Sequence, residues 1–455
     1  MLKISRRVMV GGTAGVAAAA YGGLLAWQNR NIPTTNKGMA LVADPDAILD
    51  LPEGFSYRVV ARTGSSMSDG LLRPGRPDGM ACFAMPDRDD AVILTSNHEI
   101  PTWEQISAFG EGDALLDRFT GEVYDTRPDT GAPYHGGVTI THYNLATGEL
   151  ERDFLALAGT KINCAGGATP WGSWLSCEET TDTGNKPHGF VFEVPALSDG
   201  LVAPVPLKAM GRFRHEACAV DPSSGIVYMT EDGGEDGFYR FIPTTPGKLA
   251  DGGTLQALAI VDKPGVDTSN ADGPTLVEGK TYESRWVTLA DVEAPDDDLA
   301  QRAHAAGAAV FKRGEGIAYG HKPSGAQGDI FFNCTSGGAA GVGQVFRYTP
   351  GSDGQPDTLT LFFESPGAGT MEYCDNLAVA PWGDLIVCED GIGDQYLRGI
   401  TPEGRIYDFA RNAHEDSSEF CGACFSPDGK TMFVNIQEPG ITLAITGPWE
   451  TLRLA

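Results

Sequence analysis

One unit recurs through the chain: an apolar strand, a turn of the Pro-x-x-Gly kind, a second apolar strand and, in most copies, acids at both ends. Such self-similarity constrains the fold more than any local signal, because one hairpin cannot bury its own apolar face and must stack on its neighbours. The clearest copy runs from Glu216 through Ala219-Val220-Asp221-Pro222, turns at Gly225, and returns as Ile226-Val227-Tyr228-Met229-Thr230 to Glu231-Asp232-Gly233. A second reads Asp375-Asn376-Leu377-Ala378-Val379, Pro381-Trp382-Gly383, Leu385-Ile386-Val387-Cys388, Glu389-Asp390-Gly391. Four worn copies start near Asp78, Asn163, Glu315 and Glu419, the one at Glu315 lacking a closing acid. Between them lie further strand signals, a Gly followed by alternating apolar residues and a Pro, as in Gly189 to Pro195, Gly237 to Pro243 and Gly343 to Pro350.

Four strands per unit and six units predict an all-β, six-bladed β-propeller over residues 40–455. Its last strand, Ile441 to Thr446, lacks a partner nearby, and Tyr57 to Ala61 is expected to close the ring against it. The 59 Gly and 29 Pro, with only 21% charged residues, suit a turn-rich β protein and not a disordered acidic chain. Residues 100–136 and 251–312 are too long and polar for blade turns. They read as surface loop insertions, the second with a short helix near His304 and a solvated acidic run, Asp296 to Asp298.

Ser5-Arg6-Arg7 stands directly before a weakly apolar run, Val8 to Trp27, so residues 1–35 read as a twin-arginine export signal. Glycines at 11, 12, 15, 22 and 23 dilute that run; cleavage is the first expectation and an uncleaved N-terminal membrane anchor the second. The implied partner is the twin-arginine translocation machinery and the implied location periplasmic or secreted. A net charge of -28 excludes nucleic acid as a partner. Nine cysteines, an odd number lying mostly inside strand patterns, are expected to be free. Cys82, Cys177, Cys218, Cys334 and Cys388 read as packing residues, and the Cys421/Cys424 pair as structural.

A hairpin begins and ends at the same edge, so the leading and closing acids of each unit should converge at one mouth of the channel. Glu216, Glu315, Asp375 and Glu419 lead; Glu99, Glu179, Glu231, Glu389 and Glu438 close. So many carboxylates in a concave site need compensating charge, which hard cations such as calcium supply. Cys164 stands where other units carry an acid, and a thiolate there favours iron or another transition metal. The expected metal set is therefore Cys164, Glu99, Glu179, Glu216, Glu231, Glu315, Asp375 and Glu389. His98 and His215 each precede a candidate acid, and strand alternation points them away. No nucleophile elbow, phosphate loop or His-Glu-x-x-His helix is present, which leaves metal-assisted hydrolysis as the natural chemistry.

The strings SRRVMV, SNHE, NCAGGATPWGSWLSCEE, GRFRHEACAVDP, YMTEDG, CDNLAVAPWGDLIVCEDG and EFCGACFSPDGKTMFVNIQEPG resemble the PhoX family of exported, metal-dependent alkaline phosphatases. The resemblance implies a propeller that hydrolyses phosphomonoesters of small phosphorylated substrates with iron and calcium, Cys164 supplying the thiolate to iron. Two other readings remain at this stage: a calcium-dependent, lactonase-like hydrolase, and a non-catalytic metal-binding propeller. Arg214, Arg240, Arg347 and Arg398 are the candidates to face phosphate, the second and third more suited to outer strands.

Overall fold

The computed structural model describes residues 39–453, apart from 105, 322–326 and 353. The expected export signal or anchor, residues 1–35, lies outside the described residues. Among these, no helix is long and apolar enough to cross a membrane.

Each of the six recurring units forms an antiparallel hairpin. Their first strands are Pro77–Met85, Asn163–Ala168, His215–Val220, Gly314–Gly320, Cys374–Val379 and Phe420–Phe425. These pair in turn with Arg88–His98, Ser173–Glu178, Val227–Glu231, Asp329–Cys334, Leu385–Glu389 and Thr431–Ile436. The Pro-x-x-Gly turns close because Gly172, Gly225, Gly383 and Gly429 take positive φ, a region open to glycine at no steric cost. The first strands pack side by side in chain order, and the sixth returns to the first. The fold is therefore all-β and propeller-like, with these strands lining a central channel.

The hydrogen bonding departs from six separate four-stranded blades. Four sheets are blade-like: four strands around the first hairpin, three around the second, six around the fifth and four around the sixth. The third and fourth hairpins share one nine-stranded sheet, which curls until its end strands, His215–Val220 and Gly314–Gly320, lie side by side as in a nearly closed barrel. The joint is Thr281–Thr288, inside the stretch expected to be a surface insertion. It pairs with Gly253–Ile260 on one edge and with Thr358–Glu364 on the other. Its core is aromatic: Phe238 stacks on Phe332 at 4.1 Å, with Tyr228, Phe346 and Tyr348 buried around them. The expected short helix of that stretch is Leu299–Ala305. The chain end closes as expected, Ile441–Thr446 pairing with Ser56–Arg62. All nine cysteines are free thiols, seven of them buried.

The ring is drawn so tight that backbone meets backbone. A Cβ on Gly79 would lie 2.5 Å from the Ala165 Cα, and one on Gly316 2.4 Å from the Leu377 nitrogen. Gly316→Ala is therefore expected to lower stability by about 3 kcal/mol, since neither strand can retreat, whereas Gly200→Ala, with open space around it, should change stability by less than about 0.5 kcal/mol. Thermal melts of the two variants check this, and equal melting temperatures would contradict it.

Candidate metal centre

A β-bulge interrupts every inner strand at the same place. The pairing register slips between Pro77 and Met80, Asn163 and Gly166, His215 and Cys218, Gly314 and Ile317, Cys374 and Leu377, and Cys421 and Cys424. A bulge sets two residues against one and re-aims the side chains it holds. The first residue of each bulge is, in order, Asp78, Cys164, Glu216, Glu315, Asp375 and Gly422. Five of the six positions thus carry an acid or a thiol. Gly422 alone cannot, since a Cβ there would meet the Asp78 carbonyl oxygen at 2.3 Å.

Just before the bulge the backbone is strained. Arg76, Ile162, Arg313 and Tyr373 each precede a bulged donor by two residues, and all four take φ between 45° and 52°. For a β-branched residue such as Ile162 this is a costly conformation, of the kind that collects at functional sites. Side chains opposite several of the bulges tie their hairpins to the next. Asn97 Nδ2 donates to the carbonyls of Cys164 at 3.2 Å and Ala165 at 2.6 Å, Thr230 Oγ1 to that of Glu315, and Asn333 Nδ2 to that of Asp375 at 2.5 Å.

Four overlapping groups result, in each of which the potential ligand atoms lie within 4.8 Å of one another: Asp78, Glu99 and Cys164; Cys164, Glu179 and Glu216; Glu216, Glu315 and Asp375; Asp375, Asp390 and Glu419. Shared members make them one continuous arc of eight carboxylates and a thiol. Glu216 is fully buried and neither of its carboxylate oxygens has a hydrogen-bond partner among the described residues. Burial pushes its carboxyl well above the usual range, and Glu315, Asp375, Glu179 and Asp78 push the same way. Burial also raises Glu315, Glu419 and, to about 7, Asp375. The Cys164 thiol is held up by burial and by Asp78, Glu216, Glu99 and Glu179, an effect that a bound cation would oppose. Oxygen donors with one soft sulfur fit hard cations plus a transition metal.

The structure brings Cys164, Glu99, Glu179, Glu216, Glu315 and Asp375 into the arc, but not Glu231 or Glu389. These two pair directly opposite His215 and Cys374, and from there their side chains turn outward. Glu231 Oε2 accepts from the Tyr239 hydroxyl at 2.6 Å and from the Gly237 nitrogen at 3.0 Å. Glu389 accepts from Arg398 Nε at 2.8 Å and from the Tyr396 nitrogen at 3.0 Å. In the fifth hairpin the next residue, Asp390, enters the arc instead; in the third, Asp232 takes Arg313 Nε at 2.9 Å. Asp390 lies outside the expected set because the two acids of a doublet point to opposite faces of their strand and the shared hairpin edge does not tell which one meets the channel; Asp78 and Glu419 also join the arc. Glu438 lies outside the arc, paired with Arg76.

His98 and His215 are buried and structural. The first bonds the Gly75 carbonyl and the Thr139 hydroxyl, both at 2.9 Å, and the second the Gly211 carbonyl at 3.1 Å; burial pushes each down to about 3. Of the arginines singled out, Arg398 is taken by Glu389 and Asp408, Arg240 lies over Trp286, Arg347 over Phe362, and Arg214 is exposed. The guanidinium at the arc is that of Arg313, which also donates to Glu315 Oε1 at 2.7 Å. Arg76, next to Glu99 through its carbonyl, is a second, held by Glu104 and Gln437.

Fold and site together define the class: an all-β, propeller-like protein with a buried arc of donors able to hold cations. The chain belongs to the alkaline phosphatase PhoX family, whose sequence profile matches residues 36–144 and 136–440, and is thereby an alkaline phosphatase-type hydrolase of phosphoric monoesters. Among solved structures it resembles Pseudomonas fluorescens PhoX in complex with vanadate, a transition-state analogue, at 18% identity and a TM-score of 0.65 over 90% of this chain and 97% of that one. A putative gluconolactonase matches at 13% identity and a TM-score of 0.38, over 90% and 97%, and a gluconolactonase of Xanthomonas campestris at 10% and 0.39, over 86% and 95%. No curated protein matches.

The raised carboxyls set the pH behaviour of protein stripped of cations. A carboxyl whose folded pKa is raised stabilises the fold below its unfolded pKa, and loses that contribution as pH rises through the folded value. For Asp375 the window runs from 3.8 to about 7, and Glu216, Glu315 and Glu419 act in the same direction. Chelator-stripped protein should therefore melt at falling temperature as pH rises from about 4 to 8, and calcium should reverse the fall. A melting temperature that is flat or rising across that window contradicts the arrangement.

Proposed function

We propose that the chain is an exported phosphomonoesterase that works with iron and calcium held along the arc, the Cys164 thiolate and its neighbouring glutamates holding iron. Residues 40–455 act as one propeller-like domain, and residues 1–35 carry it through the twin-arginine route to the periplasm or beyond. The observation that carries the reading is Glu216: a fully buried carboxylate, both oxygens without protein partners, amid further acids, in a chain of the PhoX family. When bound, such cations neutralise the charge of a phosphate ester and of its transition state. The protein's own part is to hold the donors rigid through the bulges and to point a guanidinium at the substrate. Arg313 suits that task, because Asp232 and Glu315 orient its fork while its side chain stays 34% exposed. A lactonase-like hydrolase with a single cation would leave most of the nine donors without compensating charge.

Hydrolysis of a generic aryl phosphate by purified protein tests this directly. Glu216→Gln should cut kcat/KM at least about 100-fold, about 2.7 kcal/mol of transition-state stabilisation. Cys164→Ser should lose iron yet melt cooperatively, because serine keeps the size but not the soft donor. Arg313→Gln should raise KM about tenfold with metal content unchanged. A Cys164→Ser protein with full iron and full activity would sink the assignment.

A further inference from the structure

Three hairpins end in an acid doublet of which the second member faces the channel and the first faces away: Glu178-Glu179, Glu231-Asp232 and Glu389-Asp390. The outward acid is used alike in each. It accepts a backbone N–H from the following strand segment and a bond from one side chain, His188, Tyr239 or Arg398 respectively. The first case reaches furthest. Glu178 Oε1 accepts from His188 Nδ1 at 2.6 Å and from the Lys161 nitrogen at 3.0 Å, while Oε2 accepts from the Gly189 nitrogen at 2.9 Å. One carboxylate thus joins the residue before Glu179 to a residue three before Cys164. On the other side of the ring, His188 Nε2 lies 3.2 Å from Asp125 Oδ2, in the stretch 100–136. Asp125 is in turn fixed by the nitrogens of Thr126 and Lys186, and Tyr124 and Tyr134 close edge-on over the imidazole. Glu178 and His188 are fully buried and Asp125 nearly so. A carboxylate oxygen thus stands opposite each ring nitrogen.

We propose that His188, held between Asp125 and Glu178, is a positioning residue of the metal centre: it clamps the stretch 100–136 to the base of the second hairpin and so holds Cys164 and Glu179 at ligand distance. This rests on reading those two residues as ligands. The chemistry is that of outer-shell partners, whose loss costs metal sites about 10- to 100-fold in affinity by loosening the groups that hold the ion. It also gives the stretch a function, since Asp125 reaches the centre through one ring.

The test is a titration of the stripped, full chain with cobalt(II), read both as the thiolate-to-cobalt absorbance and as the rise in melting temperature, with Cys164→Ser as the blank for the absorbance. His188→Gln and Asp125→Ala should each raise the midpoint about tenfold or more, while Asp125→Asn, whose Oδ1 still accepts from Nε2, should stay within about threefold of the wild type. Should His188→Gln fail to fold, Asp125→Ala decides alone. Midpoints unchanged in a responsive protein overturn the clamp and leave the centre standing. A wild type that takes up no cobalt overturns the centre and the clamp together.

Discussion

Repulsion among buried carboxylates is the constraint on which the rest of this structure depends. Two unit charges 4.8 Å apart repel by about 3 kcal/mol at an effective dielectric of 20, so one fully ionised group of three costs about 10 kcal/mol. That is of the order of a whole domain's stability. The arc contains four such groups sharing members, so it exists either with its acids largely protonated or with cations among them. At neutral pH the second is the state in which the donors are useful, and it accounts for Glu216 having no protein partner among the described residues while Glu231 and Glu389 are hydrogen-bonded to Tyr239 and Arg398.

The ring supplies what such an arc needs, which is rigidity. Bulges at equivalent positions turn the donors inward, left-handed residues before four of them fix the entry of the strand, and Asn97, Thr230 and Asn333 lock one hairpin to the backbone of the next. Glycines at the tightest approaches let these strands come close enough for the donor atoms of each group to lie within 4.8 Å of one another. The outward acids complete the support from behind. Each doublet divides the labour between one carboxylate that holds the scaffold and one that faces the channel or its rim.

Much of this was legible in the chain, and the remainder was hidden for identifiable reasons. Hairpins were readable because apolar alternation and Gly turns are local, and closure between Ser56–Arg62 and Ile441–Thr446 followed from an unpaired last strand. The fusion into nine strands was not, because Thr281–Thr288 carries charged residues on its exposed face and reads as loop. Cys164 and Glu216 were found because their hairpins begin on them. Glu389 and Glu231 were singled out over Asp390 and Asp232 because the shared edge of a hairpin fixes where its closing acids sit but not which of two adjacent acids, on opposite faces of one strand, meets the channel.

The central claim is that the arc is a multi-cation site and not a set of protonated acids. Elemental analysis of the wild-type protein, purified from its own compartment without chelator or affinity metal, tests it most directly. The account predicts more than one cation per chain, with iron and calcium both present and iron absent from protein whose Cys164 has been replaced. Folded, active protein that carries no stoichiometric metal would contradict it.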